Sequence, residues 1–549
     1  MSNTPKGVRQ ASFREQFTFR GMVIGSIGSV ILTMSSMYVA LKLGALPWPI
    51  IFVALVSMFA LKALGRTNIH EINVTHTVMS AGAMVAGGIA FTVPGIWMLE
   101  PKAEVNLASL LIVTLGGVLL GLIFTALIRK YFVVTQDLPY PMGIAAAETL
   151  VIGDEGGKKS VVLFSSLGVA ALFTLFRDWF EKIPQTLILN KAIAAKGVAF
   201  YIYLSPMLIA VGYLIGPLAV GIWFLGAVIG DFGIVIGMPR MGILDLDTAM
   251  AVKSSLGIGV MVGTGIGIIV KGILPKAKEI FGPMFSKESR GDSIVNLRWA
   301  PMLMVILAFI FTFALDLGIG ASLITILGVW LATSMSAQVV GQSGINPMEI
   351  FGIIVLLAAK FAASLGNVQA FFVAAIVAVA CGLVGDVMND FKAGHILQSN
   401  PKAQWLGEVI GGIIGAFVSV GVLFVLIKAY GAEAFGDPEL FPAPQASAVA
   451  AMVGGIPHMT SFVIGLFIGT VLYVLRFPVM TLGLGIYLPF YLSFTAMIGG
   501  ALKLIVEKAA PKFEKAGNGM IIASGLLGGE GVVGVVLALV QALKGMQAL

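Results

Sequence analysis

Carboxylates inside or beside long apolar stretches are the first residues in this sequence that could do chemistry. They are Glu71, Glu148, Glu349, Asp390 and Glu530. Burial in a low-dielectric site favours the protonated form of a carboxyl group, which can then exchange a proton near neutral pH. These five residues are therefore candidates for proton coupling. Each could instead cap a helix end or pair with a lysine.

Polar side chains near interruptions in the apolar pattern could bind a substrate. Lys392 lies two residues after Asp390 and could bind a peptide carboxylate, pair with Asp390, or extend to the aqueous phase. Tyr487 and Tyr491 lie one turn apart around Pro489 and could line a pocket or belong to an interfacial aromatic belt. The other substrate-binding candidates are Asn389, His395 and Asn68.

The pattern of metal-binding and phosphate-binding residues argues against several classes of site. Only four histidines and one cysteine occur, and His70 and His76 are six apart, so they would face different sides of one helix. The sequence therefore predicts no metal site, no cofactor and no enzyme activity. Its Gly-x-Gly strings have no Walker lysine context, which argues against a nucleotide-driven pump.

The elements that must position these residues are apolar helices. Of the 549 residues, 58% are hydrophobic and only 11% are charged, against about 25% charged in soluble domains. The composition predicts an all-α, polytopic membrane protein of about fourteen to sixteen transmembrane helices. Its net charge of +7 falls mainly in short connections, as the positive-inside rule expects, and not in a patch for nucleic acid.

Short segments interrupt this series of spans. Residues 141–152 would reach only about 18 Å as a helix, too short for a hydrocarbon core of about 30 Å. We expect this segment to be re-entrant or half of a broken helix. Residues 391–401 and 441–455 are the interrupted stretches of the second half.

An internal repeat divides the chain. Arg20 opens a span that leads to Glu71, and Arg298 opens one that leads to Glu349, with the same offset of 278. We predict a cytoplasmic tail at 1–20, a first transmembrane repeat at 21–275, a basic cytoplasmic connection at 276–297 and a second repeat at 298–549. Broken helices at matching places in two repeats are typical of secondary transporters.

Four motifs carry a resemblance to a known family. They are GDVMNDFKAGHILQSNP at 385–401, the Pro-x-Gly-x-Ala entry at 141–145, Tyr-Leu-Pro at 487–489 and SGLLGGEGVVGV at 524–535. In this order they resemble the oligopeptide transporter family, which includes the yellow-stripe-like metal-chelate carriers. His395 departs from the family, where tyrosine is more usual. The resemblance implies import of small peptides, or of metals carried by peptide-like chelators, driven by the proton gradient.

The predicted function is a secondary active transporter that imports small peptides across the membrane by proton symport. The alternatives are a carrier of metal-chelate or siderophore-like complexes, an ion-pumping membrane enzyme, or a channel. The aspartate pairs 245/247 and 386/390 are sparse for a membrane pyrophosphatase. We expect a multi-pass protein of the plasma (inner) membrane with a cytoplasmic N-terminus, in contact with lipid and able to form a homodimer.

Overall fold

The structure is a computed structural model that describes most of the chain. The described residues are 12–43, 50–155, 158–194, 196–267, 270–271, 274–276, 294, 299–344, 346–437, 440–441 and 443–547. Most of the predicted N-terminal tail and nearly all of the basic connection at 276–297 lie outside them, as does Arg298 of the proposed repeat motif.

Helices make up nearly all of the regular structure in these ranges. The helices of the first half are α1 Phe13–Gln16, α2 Phe19–Leu43, α3 Ile50–Ala63, α4 Ile69–Ala90, α5 Gly95–Leu99, α6 Leu107–Arg129, α7 Pro141–Glu155, α8 Lys158–Thr174, α9 Lys191–Ala194, α10 Pro206–Ile215, α11 Pro217–Ala227, α12 Met238–Arg240 and α13 Leu246–Gly267. Those of the second half are α14 Ala300–Ala314, α15 Gly318–Ser343, α16 Met348–Ala362, α17 Asn367–Leu397, α18 Pro401–Tyr430, α19 Pro444–Gly454, α20 Met459–Val474, α21 Val479–Tyr487, α22 Phe490–Ala509, α23 Pro511–Lys515 and α24 Asn518–Gln547.

Other backbone conformations extend or connect these helices. Wider π-helical turns follow α6, α8 and α11 at Lys130–Thr135, Leu175–Trp179 and Val228–Gly237. Strands β1 Thr186–Ile188 and β2 Tyr201–Tyr203 pair antiparallel in a small hairpin, with Leu187 opposite Ile202.

The predicted all-α membrane architecture is confirmed. Within the described residues, ten helical segments are long and apolar enough to cross a membrane, or eleven if α19 and α20 form one broken span. Four further apolar segments within these ranges form shorter helices of 10–17 residues. Such helices are too short to span a bilayer alone.

The non-helical breaks between helices contain fewer residues than the sequence suggests. Residues 141–155 form one helix of 15 residues, consistent with the predicted half-length segment. Helix α17 continues to Leu397, so Gly394 lies in a helix and not in the turn that its type suggested. A Cβ atom at Gly394 would lie 1.9 Å from Oε1 of Gln404, so this glycine makes room for a neighbouring side chain.

The helices group into two compact units, and each contains parts of both sequence halves. Unit 1 comprises residues 1–155, 276–454 and 538–549, and unit 2 comprises residues 156–275 and 455–537. Each half of the chain thus contributes its first part to unit 1 and a later part to unit 2, and residues 538–549 of the second half belong to unit 1 again.

Within unit 1 the same packing pattern occurs twice. Helix α2 packs on α4, α3 on α4 and α7, and α18 on α2 and α4. Correspondingly, α15 packs on α17, α16 on α17 and α19, and α6 on α15 and α17. The two sets meet where α4 packs against α17. This reciprocity supports two related halves.

The register of this correspondence differs from the motif offset. Pairing α2 with α15 and α4 with α17 relates the first parts of the halves by an offset of about 300, since α2 begins at Phe19 and α15 at Gly318. In this register Glu71 does not correspond to Glu349. The predicted domain boundaries remain a prediction.

Unit 2 shows a second reciprocal pattern. Helix α10 packs on α22, and α21 packs on α11, while α11 and α22 pack against each other. Thr495 of α22 accepts a hydrogen bond from the backbone N–H of Tyr203 at 3.0 Å and donates one to its carbonyl at 3.2 Å. The hairpin is therefore attached to unit 2 through β2.

Candidate functional site

The most deeply enclosed element of unit 1 is helix α17. Its whole membrane-length window is buried, and Asp386, Asn389 and Asp390 are each 0% exposed. Charged side chains at such a depth are costly unless they are paired, and in membrane proteins they usually mark function. Helix α17 therefore carries the principal candidate site.

Three acidic side chains converge there, and we call them the carboxylate cluster: Asp386, Asp390 and Glu408. Asp386 and Asp390 are four residues apart, which places both on one face of α17. Glu408 reaches them from α18, also 0% exposed. One carboxylate oxygen of each residue lies within 4.8 Å of those of the other two.

Asp390 is bound by two side chains of α4. Nε2 of His76 lies 3.1 Å from Asp390 Oδ1, and the Ser80 hydroxyl donates to Oδ2 at 3.2 Å. His76 and Ser80 are four residues apart and so share one helix face. The Gln404 amide also donates to the backbone carbonyl of Asp390 at 2.7 Å. Asp390 is thus held in place on three sides.

The other two members of the cluster have no such partners. In the described part of the chain, no hydrogen bond of good distance and angle reaches either carboxylate oxygen of Asp386 or of Glu408, although Ser80 lies close to Asp386 and Asp390 lies close to Glu408. The Nδ1 atom of His76 is likewise buried and without a partner among the described residues. Each unsatisfied buried polar group costs about 1–3 kcal/mol, and more if charged. Such a cost points to a protonated or ion-binding state.

Lys392 pairs with a different aspartate from the one that the sequence suggested. Its Nζ lies 2.6 Å from Oδ1 of Asp137, in the segment before α7. Lys392 is 7% exposed and Asp137 is 74% exposed, so a buried ammonium meets a carboxylate open to solvent. The hydrogen bond from Lys392 lowers the pKa of the Asp137 carboxyl group. Lys392 therefore links α17 to the segment before α7.

Asn389 and His395, the other substrate-binding candidates of α17, do not join the cluster through a recorded side-chain contact. The backbone N–H of Gly143 donates to Oδ1 of Asn389 at 3.0 Å, which fastens α7 to α17. His395 is partly buried in the last turns of α17. Asn389 thus connects α7 to α17, and the substrate-binding roles of Asn389 and His395 stay predictions.

The polar residues at the start of α4 form a helix cap and an ion pair. Oδ1 of Asn68 accepts the N–H of Glu71 at 2.9 Å. Glu71 receives two hydrogen bonds of 2.7 Å from the Arg20 guanidinium, and one of 2.6 Å each from Thr18 and Thr67. Glu71 is thus fully satisfied, as expected for a structural carboxylate.

The two remaining proton-coupling candidates of unit 1 lie on other helices. Glu349 is buried in the first turn of α16. Glu148 is exposed on α7. The structure places neither of them in the carboxylate cluster.

Glu530, Tyr487 and Tyr491 belong to unit 2. Glu530 accepts the Ser205 hydroxyl at 2.9 Å and the N–H of Met207 at 2.7 Å, and Arg177 lies 3.0 Å away. It therefore caps the N-terminus of α10 from the last long helix.

The tyrosines lie at a different place in unit 2. Tyr491 packs against the rings of Tyr201 and Tyr203, with centroid distances of 6.3 and 6.0 Å. Tyr487 ends α21 and is partly buried. The ring contacts of Tyr491 join it to the hairpin.

Sequence reasoning found Asp390 but missed His76 and Glu408 as site residues, and set Asp386 aside as too sparse. A signal for Glu408 was available, since it is an ionisable residue in the 30-residue apolar helix α18. His76 and Asp390 are 314 residues apart, and no local pattern connects them.

The carboxylate cluster can take up positive charge. Three carboxylates and one imidazole in a dry interior can hold protons, or they can surround a cation.

Comparisons with known proteins identify the family of this chain. The sequence model of the family described as "OPT oligopeptide transporter protein" matches residues 16–541. A Haemophilus influenzae protein named "Putative oligopeptide transporter" is 28% identical, over 92% of each chain. The rice protein "Probable metal-nicotianamine transporter YSL6" is 20% identical over 98% of this chain and 93% of its own. The Arabidopsis thaliana "Metal-nicotianamine transporter YSL2" is 37% identical over 10% of this chain and 9% of its own.

The family match covers nearly every described helix, including α4, α17 and α18 that build the carboxylate cluster. The chain is a multi-pass membrane protein, and it belongs to the OPT oligopeptide transporter family.

Proposed function

We propose that this transporter imports small peptides by proton symport and that Asp390 with His76 carries the coupling proton. The observation that supports this most directly is their contact of 3.1 Å at 0% exposure of both side chains. Because neither group is open to water in this conformation, a proton bound there can exchange only when the helices rearrange. That is the requirement for coupling a proton to alternating access.

The packing of the helices gives the coupling a physical route. His76 lies on α4 and Asp390 on α17, and these are the two helices at which the reciprocal halves of unit 1 meet. Protonation of Asp390 would weaken its attraction to His76, and so would loosen the contact between the halves. Proton binding and helix movement would then depend on each other.

Uptake of a labelled tripeptide into proteoliposomes tests the proposal. Wild-type protein should accumulate the peptide under an inward proton gradient and stop when an ionophore collapses it. Asp390→Asn should lose more than tenfold of the gradient-driven accumulation. Uptake that is unaffected by collapse of the gradient would contradict proton coupling.

A matched control is available at Asp316. It lies in unit 1, is exposed, and has a left-handed backbone (φ 54°), which asparagine tolerates. Asp316→Asn makes the same chemical change outside the cluster, so its uptake should match the wild type. Equal losses in the Asp390→Asn and Asp316→Asn variants would contradict a specific role for Asp390.

Transport of a metal chelate is the second candidate, because relatives over the same length are named metal-nicotianamine transporters. A chelate presents carboxylates and amines much as a peptide does. Competition of tripeptide uptake by metal-loaded and metal-free nicotianamine separates the two. Inhibition by the loaded chelate alone would favour the chelate as substrate.

We also propose a cytoplasmic N-terminus in the plasma (inner) membrane, on the basis of the basic residues before α2. Cys381 is the single cysteine and is buried, so an introduced thiol gives a clean signal. Ser12→Cys in intact cells should resist an impermeant maleimide and react after permeabilisation. Labelling in intact cells would show that the N-terminus lies outside the cytoplasm.

A further inference from the structure

We propose that the carboxylate cluster of Asp386, Asp390 and Glu408 binds one hard divalent cation. The site extends the proposed function by naming an ion that the protein itself holds, and it does not depend on peptide uptake. The sequence predicted no metal site, since it offers neither paired histidines nor clustered cysteines.

Geometry is the first step of the argument. The three carboxylates come from two helices and face one another, with one oxygen of each within 4.8 Å of the others. Oxygens that bind a common Ca²⁺ ion lie 2.3–2.6 Å from it, so two oxygens on opposite sides of the ion are about 5 Å apart. The cluster therefore has the dimensions of a coordination shell.

Charge is the second step. Asp390 is held by His76 and Ser80 of α4, whereas no hydrogen bond within the described residues reaches any of the four carboxylate oxygens of Asp386 and Glu408. A divalent cation carries the charge of two ionised carboxylates, so it can replace two protons on this pair, whereas a monovalent cation can replace only one.

Burial is the third step. Asp386 and Glu408 are both 0% exposed, so bulk water does not reach them in this conformation. An enclosed water could hydrogen-bond to these oxygens but would not neutralise ionised carboxylates, whereas a cation or two protons would. Carboxylate oxygens prefer hard ions such as Mg²⁺, Ca²⁺ and Mn²⁺ over soft ones.

The surrounding side chains keep the cluster in position. Ser80 and His76 hold Asp390 from α4, and Gln404 holds the backbone carbonyl of Asp390 from α18, one turn before Glu408. Glycines let these helices approach: a Cβ atom at Gly411 would lie 2.2 Å from the carbonyl of Val78. The three helices are thus fixed tightly enough to define an ion site.

Electron paramagnetic resonance of Mn²⁺ tests the proposal on the purified, EDTA-treated full chain. Binding removes the six-line signal of free Mn²⁺, and we expect one tight site per chain. Asp386→Asn and Glu408→Gln should each weaken that site at least tenfold. Asp316→Asn and Glu433→Gln are matched controls at exposed positions of unit 1, and they should bind like the wild type.

Two results would overturn the proposal. Wild-type protein that binds no Mn²⁺ would show that protons alone neutralise the cluster. Equal Mn²⁺ binding by all four variants would place the ion on the surface. Because the readout is equilibrium binding, a chain that binds Mn²⁺ but accumulates no peptide would contradict only the proposed function.

A measurement on the wild type alone covers the case in which the cluster variants do not fold. Dicyclohexylcarbodiimide enters apolar interiors and modifies protonated carboxyl groups, and mass spectrometry locates the adducts. Mn²⁺ should protect Asp386 and Glu408 at least fivefold while leaving Glu349 unprotected. Modification of Asp386 and Glu408 that Mn²⁺ does not change would contradict the ion site.

Discussion

Two buried carboxylate sites, one in each unit, differ in how their charges are satisfied. In unit 2, Glu530 meets a hydroxyl, a helix N–H and the Arg177 guanidinium. In unit 1, Asp386 and Glu408 meet none of these among the described residues. The first arrangement has a complete set of partners within the protein, and the second requires something that the side chains do not supply.

This difference separates a structural carboxylate from a functional one. Both sites are buried and both lie on apolar helices, so burial and sequence context do not distinguish them. The hydrogen-bond and ion-pair partners do distinguish them. A carboxylate whose partners are all supplied by the protein keeps one charge state, whereas a carboxylate without partners changes its charge state when a ligand binds. We therefore propose a structural role for Glu530, and its role in proton coupling stays a prediction from the sequence.

The largest expected effect concerns the Glu530 site of unit 2, whose carboxylate has its partners within the protein. Arg177→Met removes the guanidinium that faces both Asp178 and Glu530. Breaking a buried ion pair from one side costs about 3–5 kcal/mol, so folded protein should be strongly depleted. Thermal unfolding followed by fluorescence-detected gel filtration measures this loss. A variant as stable as the wild type would contradict a structural role for Glu530.

A packing change next to the unsatisfied site should have the next largest effect. Gly143→Ala places a Cβ atom 2.2 Å from the carbonyl of Asn389, the residue before Asp390. Overpacking of this kind costs about 1–3 kcal/mol. Gly421→Ala is the control, since its Cβ atom would meet nothing within 4 Å. Equal melting temperatures of the two variants would show that α7 can move away from α17.

The unsatisfied site should tolerate mutation. Asp386→Asn keeps the shape of the side chain and replaces a carboxylate oxygen that, among the described residues, has no hydrogen-bond partner. In EDTA we expect the variant to match the stability of the wild type to within about 1 kcal/mol, since the substitution breaks no hydrogen bond. Guanidinium or urea titration of the detergent-solubilised protein measures the difference. A destabilised variant would make Asp386 structural, like Glu530.

The smallest expected effect concerns the exposed partner of a buried lysine. Asp137→Asn removes a carboxylate that is 74% exposed, and solvent screens such a pair. The expected cost is at most about 1 kcal/mol. Uptake kinetics of the same variant would show whether Lys392, once released, changes the affinity for a peptide.

The sequence predicted the all-α membrane class, and most of the long helices, because their signal is local. Apolar runs of about twenty residues identify spans such as α6 and α17 without knowledge of their neighbours. Helix α17 and Asp390 were also accessible from the family motif at 385–401. The extent of α17 was not, because Gly394 is explained by Gln404, a contact that no helix propensity describes.

The partners of the site were beyond sequence reasoning for a physical reason. A pair such as His76 and Asp390 exists only because α4 packs on α17. Hydropathy fixes which helices form but not which of them become neighbours. The pairing of Lys392 with Asp390 was one of three alternatives and followed from sequence proximity, but in the structure Lys392 pairs with Asp137.

The interleaving of the two units has a consequence for biogenesis. Residues 156–275 of unit 2 leave the ribosome before residues 276–454 of unit 1, and their partners at 455–537 emerge only afterwards. At about 5–20 residues per second the gap lasts on the order of ten to thirty-five seconds. During that time Arg177 has been inserted while Glu530 has not been made. Assembly of unit 2 is therefore completed only near the end of translation.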